Sequence, residues 1–299
     1  MQIRLKKKNE FIFFILSIIG AFVLPLFFNW VELAFKGTAH PSPNAFSLGV
    51  IKIRWYALII VSAIIVGYLI TIGQAKKEGA NEDDIISNLS LGIIFGVIGA
   101  RLYYVLFNLS YYLANPIEIL MTRHGGLAIH GAIIGAILSL FLFTRLKKNC
   151  SYGFWQAMDW FAMAVPLGQA MGRWGNFMNQ EAFGTPTNLP WKMYIEKSHR
   201  PIQYLHYEYF HPTFLYESVW DIATFVIVYT YVKKYRKNFG EGVSLYFILY
   251  SIGRFFVEGL RTDSLYMGKL RTAQVMSLFL IGLGAFGLFF FRSRNTEKV

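Results

Sequence analysis

The chain has 299 residues, of which 55% are hydrophobic, 18% aromatic and only 15% charged, with a positive mean hydropathy. That balance excludes an ordinary soluble domain and indicates a polytopic membrane protein. The net charge of +12 does not point to nucleic acid, because the basic residues sit in short segments between apolar runs, as suits an anionic membrane surface. The single cysteine, Cys150, excludes an internal disulfide framework or a Cys-ligated metal.

Windows of about 18 or more mostly apolar residues, the length needed to cross a bilayer, predict eight spans. They lie near 11 to 29, 53 to 73, 86 to 107, 126 to 144, 154 to 171, 213 to 232, 242 to 260 and 273 to 291. The fifth is the weakest, since Gln156, Asp159, Pro166 and Gln169 interrupt it. The first follows Arg4, Lys6, Lys7 and Lys8, so a secretory signal is the alternative. Its apolar run exceeds the roughly 7 to 15 residues of a signal core and no small-residue cleavage site follows, so it reads as a retained anchor.

Loop charges set the orientation. Arg4, Lys6, Lys7, Lys8, Lys76, Lys77, Arg145, Lys147, Lys148, Lys233, Lys234, Arg236, Lys237, Arg292, Arg294 and Lys298 fall in tails and short loops on one side. These sixteen of the 29 basic residues assign that side to the cytoplasm, with both termini there. The long segment from about 172 to 211 is then extracytoplasmic. No internal repeat, low-complexity tract or soluble-domain linker is visible.

Against this apolar background the stretch from Gly168 to Gly184 is a dense block of small and polar residues, including Arg173, Asn176, Asn179, Gln180 and Glu181. With the predicted topology, Arg101, His130, Arg173, His211, Arg254 and Glu258 all fall in the outer half of the bilayer, where an ionisable group is costly unless paired or facing a wet cavity. Tyr250, Arg254, Glu258 and Arg261 share one helix face, and a helix continued past Arg173 would align Asn176 and Asn179 with it.

Taken singly, each has an ordinary explanation. Arg254 with Glu258 fits a structural i, i+4 pair, Arg173 an interfacial arginine and His130 a packing histidine. Gly126, Gly131 and Gly135 fit helix packing, and Tyr103, Tyr104, Tyr111 and Tyr112 an interface belt. Their shared depth argues for a site. Two arginines aimed at one pocket suit a phosphate, which at outer-leaflet depth is most simply that of a phospholipid. A nearby histidine suits proton transfer, and the arginines would stabilise charge on a departing phosphate. No His-Glu-x-x-His helix or paired-aspartate magnesium motif is present, so neither metal nor cofactor is expected. The residues do not identify a nucleophile.

Six motifs carry a resemblance to a known family. They are Ile53 to Tyr56 (IRWY), Gly99 to Tyr104 (GARLYY), Gly125 to Gly131 (GGLAIHG), Gly172 to Glu181 (GRWGNFMNQE), His211 to Glu217 (HPTFLYE) and Tyr250 to Asp263 (YSIGRFFVEGLRTD). In this order they resemble the bacterial prolipoprotein diacylglyceryl transferases over most of the chain after about residue 50.

The resemblance implies transfer of the diacylglyceryl group from phosphatidylglycerol to the lipobox cysteine thiol of a preprolipoprotein, releasing glycerol phosphate. The nucleophile would then belong to the substrate. It implies an all-α fold, a seven-span core over 49–299, with 1–48 as a basic tail, an extra anchor helix and a linker. It implies catalytic roles for His130, Arg254 and Tyr56. Arg173 and Asn176 would hold the headgroup, and Asn179, Glu181, Gly184, Arg101, His211, Glu258 and Arg261 complete the expected binding set. Ala132 stands where many relatives carry a second glycine after the histidine. A lipid transporter or another headgroup enzyme is the alternative; a transporter would favour inverted repeats and midplane polar residues, which this sequence lacks.

Overall fold

The computed structural model describes residues 24–49, 51–122 and 125–294. Helix α1 (Leu24–Phe35) is followed by an antiparallel hairpin of β1 (Asn44–Leu48) and β2 (Ile51–Arg54). Seven long or medium helices and a short one account for most of the remainder. They are α2 (Trp55–Lys77), α3 (Glu82–Phe107), α4 (Leu109–Ala114), α5 (Ile129–Leu146), α6 (Phe154–Met178), α7 (Thr213–Lys234), α8 (Glu241–Glu258) and α9 (Thr272–Ser293). Two further two-stranded pairs occupy connections: β3 (Met193–Tyr194) with β4 (Tyr209–Phe210), and β5 (Tyr266–Met267) with β6 (Leu270–Arg271).

The helices fall on seven of the eight expected runs, while the run near 11 to 29 lies largely outside the described residues. Four of them, α2, α3, α5 and α9, are long and apolar enough to cross a membrane. Helices α6, α7 and α8 are 25, 22 and 18 residues long, but their polar residues keep them below the same apolar standard. Several of those polar residues, among them Arg173, Glu217 and Arg254, form the candidate site. The segment expected to be loop from 172 is helical to Met178, so Arg173 and Asn176 stand on α6.

Local chemistry explains several boundaries. Asn81 caps α3, its side chain accepting from the Asp83 amide at 2.9 Å, with Glu82, Asp83 and Asp84 in the favourable first turn. Helix α6 ends in a Schellman turn: the Glu181 amide returns to the Asn176 carbonyl and the Gln180 amide to Phe177, both at 3.1 Å. The residue in the left-handed position is not glycine but Gln180, at φ 50°, and Ala182 follows at φ 57°. Such geometry costs a non-glycine residue of order 1 kcal/mol or more. The buried Gln180 side chain offsets it by accepting from the Glu196 amide at 2.9 Å and donating to the Pro41 carbonyl at 3.4 Å.

The chain divides into two compact units. One contains residues up to Ser62, Gln169–Asp221 and Ile252–Leu278. Its core joins Phe177, Phe183, Phe210, Phe214, Met193, Ile195 and Ala34, with Phe177 and Phe214 stacked at 4.7 Å. A backbone ladder runs through it. The Gly184 amide donates to His211 O (2.9 Å), His211 N to Thr185 O (3.1 Å) and Thr185 N to Leu260 O (2.8 Å). Residues 183–187 are thereby stitched between 209–211 and 260–262.

The other unit contains Ala63–Gly168, Ile222–Ser251 and the residues from Phe279 onward. Its cores centre on Trp160 with Tyr152, and on Met163 with Val228 and Val243. Here α3 and α5 cross closely: a Cβ on Gly131 would fall 2.7 Å from the Gly99 carbonyl carbon, which only glycine avoids. Arg236, one of the cations assigned to a short loop, is buried between Glu78 (2.5 Å) and Asp159 (3.3 Å). Asp159 also accepts from the Gly240 and Val243 amides, both at 2.9 Å, so this cation locks the entry to α8.

Candidate active site

The polar residues of α6, α7 and α8 in the first unit meet in one ion network. Its centre is Glu217 of α7, only 5% exposed. One carboxylate oxygen, Oε2, lies 2.5 Å from Arg173 Nε of α6, and the other, Oε1, 2.5 Å from Arg254 Nη1 of α8. Arg254 Nη2 is 2.5 Å from Glu258 Oε2, one turn further along α8. Arg261 Nη1 stands 3.8 Å from Glu217 Oε1 and grips Asp263 through Nε (2.9 Å) and Nη2 (2.7 Å). Asp221, a turn beyond Glu217 and buried, has Oδ2 4.0 Å from Arg173 Nε.

Two of the 2.5 Å contacts are charge pairs without hydrogen-bond alignment: Arg173 Nε with Glu217, and Arg254 with Glu258 Oε2. Neither Nη group of Arg173 makes a hydrogen bond among the described residues, and the side chain is 18% exposed. Its Nε faces Glu217 as a charge pair, while its two terminal nitrogens remain to be used.

Three guanidiniums therefore face four carboxylates. Arg271 adds a fourth cation, donating to the carbonyls of Glu258 and Arg261 and to Ser264 Oγ. The cluster is close to neutral, so anion recognition there depends on directed donors rather than on an excess of positive charge. Burial works to raise the Asp263 carboxyl, but the Arg261 hydrogen bonds and charge prevail and hold it below its ordinary value. Burial lowers Arg261, but Asp263 first, then Glu217 and Glu258, hold it above its usual range.

The other expected residues of this unit line up along the end of α6 and the stitched segment. Asn176 and Asn179 both donate from Nδ2 to Glu181 Oε1, at 2.9 and 3.1 Å. The left-handed residues Gln180 and Ala182 flank Glu181, so the strained turn presents this carboxylate to both amides. Gly184 is crowded: a Cβ would meet His211 Cβ at 2.7 Å, Thr213 Cγ2 at 3.0 Å and Leu260 O at 3.1 Å. His211 Nδ1 is 3.3 Å from Tyr216 Oη, which accepts from Trp191 Nε1 at 2.7 Å, and burial lowers the His211 pKa. The Tyr56 ring packs over Gly175, where a side chain would collide with it.

Arg101 and His130 belong to the second unit and have separate surroundings. Arg101 is buried, and its guanidinium donates to Ile119 O (2.9 Å), Gly125 O (2.8 Å), Gly126 O (2.9 Å) and Glu118 O, while lying 5.1 Å over the Tyr112 ring. Its donors are committed to the loop before α5. That loop leads to His130, the second residue of α5, whose exposed imidazole stacks on Tyr103 at 5.8 Å. The Ala128 amide bonds to Ala100 O at 3.1 Å, tying the same entry to α3.

Glu217 and Asp221 were not among the residues expected at the site. Their signal was present, two carboxylates four apart in an otherwise apolar helix, and Glu217 ends the motif HPTFLYE. Among the described residues no three His, Cys, Asp or Glu side chains converge as a metal-ligand set.

Comparison with known proteins places these features in context. Residues 43–290 match the family model described as prolipoprotein diacylglyceryl transferase. A phosphatidylglycerol–prolipoprotein diacylglyceryl transferase of Thermotoga petrophila is 48% identical over 271 residues, covering 91% of this chain and 92% of that protein. Its counterpart from Fervidobacterium nodosum is 45% identical over 278 residues, 93% and 94% of the two chains. The Nostoc enzyme is 48% identical over 264 residues, 86% and 92%.

Proposed function

Because the chain belongs to the prolipoprotein diacylglyceryl transferase family, we propose that it moves the sn-1,2-diacylglyceryl group of phosphatidylglycerol to the lipobox cysteine of a preprolipoprotein. The cysteine thiol gives up its proton, its sulfur bonds to the glycerol C3 of the diacylglyceryl group, and the C3–O bond to phosphate breaks. Glycerol phosphate departs with the bonding pair.

The observation that carries this reading is Arg173 and Arg254 held 2.5 Å from opposite oxygens of one buried carboxylate. Two planar, permanently charged forks set by a common anchor suit a phosphodiester, and their hydrogen bonds strengthen as charge collects on the leaving phosphate. The spare Nη groups of Arg173 are its proposed ligands to the phosphate. Arg254 is assigned the charge that develops on the bridging oxygen, with Arg261 and Glu258 fixing it. Asn176, Asn179 and Glu181 are assigned the glycerol hydroxyls, since Glu181 keeps acceptor capacity beyond the two amides it binds. Gly184 and His211 form the wall beside them. His130 is the proposed acceptor of the thiol proton, with Tyr56 as a second catalytic group, and Arg101 supports the loop that precedes His130.

The four apolar helices make this a membrane protein. We place the site toward the extracytoplasmic face, in a seven-span core over 49–299 preceded by an extra anchor within 1–48. Purified protein in bilayers containing phosphatidylglycerol should convert a lipobox peptide to a thioether-linked product, and a Cys-to-Ser peptide should give none. Absence of product with the cysteine peptide would overturn the assignment.

A further inference from the structure

We infer that Glu217 is a positioning residue of the transfer reaction, setting the separation and orientation of Arg173 and Arg254 without itself touching the lipid; this rests on the reaction proposed above. Glu217 is 5% exposed and sits between two helices whose arginines it links, one oxygen to each at 2.5 Å. No other carboxylate of the network links these two arginines. Glu258 pairs with Arg254 and not with Arg173. Asp221 stands 4.0 Å from Arg173 Nε. Asp263 is taken by Arg261.

The way Glu217 is used also matters. Its closest approach to Arg173 is at Nε, the nitrogen nearest the backbone, and neither Nη group makes a hydrogen bond among the described residues, so the terminal fork stays available while the charge pair holds the side chain in place. A carboxylate meeting the Nη groups would instead compete with a phosphate for the same donors. Shortening or neutralising the anchor leaves both arginines in the protein but releases their mutual register. A displacement of about 1 Å at a catalytic group is enough to cost on the order of 100-fold in rate.

Charge gives a readout that a purely structural role would not share. Removing one negative charge from a near-neutral cluster favours an anionic headgroup, so binding of the donor is not weakened. Turnover falls because the arginines no longer meet the leaving phosphate together. In nanodiscs of graded phosphatidylglycerol content with saturating lipobox peptide, E217Q is expected to lower kcat about 100-fold with KM for the lipid unchanged or reduced. E217D keeps the charge but withdraws the carboxylate by one methylene; it is expected to lower kcat about tenfold at unchanged KM. If E217Q does not fold, E217D decides alone. Turnover within about twofold of wild type in E217D, or a raised KM at unchanged kcat in either variant, would overturn the assignment. Absence of transfer by the wild-type chain is a different failure, which removes the reaction and this role with it.

Discussion

Replacing Arg173 by lysine separates its two duties. In the structure Nε pairs with Glu217 at 2.5 Å and the Nη nitrogens are uncommitted. A lysine ammonium is a single point of charge at the end of a chain that reaches little beyond the position of Arg173 Nε. It can preserve the pair with Glu217 or approach the donor phosphate, but not both. The variant should therefore fold, since the buried carboxylate keeps a partner. Arg173→Gln, by contrast, leaves Glu217 with Arg254 as its one close cation and should lose about 1–3 kcal/mol of stability, less than the cost of orphaning a buried charge outright.

For Arg173→Lys the lost element is the fork to the phosphate. A charge-assisted hydrogen bond is worth about 1.5–3 kcal/mol, which corresponds to a fall in kcat/KM of roughly 10- to 150-fold. The assay is initial-rate transfer to a lipobox peptide, paired with a thermal scan in the same detergent or nanodisc. A variant with wild-type Tm and near-wild-type kcat/KM would refute the phosphate role. It would leave Arg173 as a structural ion-pair partner only.

Four further outcomes test the rest. Gly184→Ala forces a methyl against His211, Thr213 and the Leu260 carbonyl, so its stability should fall by about 1–3 kcal/mol, and an unchanged Tm would contradict the packing. Arg101→Lys can supply at most three donors for the four carbonyls now served; exchange of the Ala128 amide should accelerate, and unchanged protection would refute the loop-holding role. The Asp263 pKa is depressed in the fold, so its pairing contributes stability above the unfolded carboxyl pKa of about 3.9 and loses it as pH falls through the lower folded value. Asp263→Asn should remove that part of the acid sensitivity, and an identical pH profile would refute it. For topology, a cysteine at Lys197 should react with an impermeant thiol reagent applied from outside, whereas Cys150 should not; the reverse would overturn the orientation.

The helices were legible because apolar runs of spanning length leave the chain few alternatives. The same rule failed where function intrudes. Helix α6 reads as loop after 171 because Arg173, Asn176 and the glycines look like an interruption, yet Glu217 and Asp221 neutralise the arginine and the helix runs on to Met178. Arg254 with Glu258 could be paired from spacing alone, and the structure has that pair. Glu217 could not, because its partners lie 44 and 37 positions away in the sequence. Gln180 and Ala182 give no local sign of left-handed backbone. Their conformation follows from tertiary bonds to Glu196, Pro41 and Thr213 rather than from their own preference.

Unlike Arg173, Arg236, Arg254 and Arg261, Arg101 has no carboxylate partner among the described residues. Carbonyl dipoles do not titrate and cannot be exchanged by substitution. Its attachment is thus indifferent to acid, unlike the Arg261–Asp263 pair. No charge reversal elsewhere in the chain could compensate its loss. Suppressors of an Arg101 defect would have to alter the length or course of the 116–126 backbone itself. In natural sequences this arginine and the length of that loop should accordingly vary together or not at all.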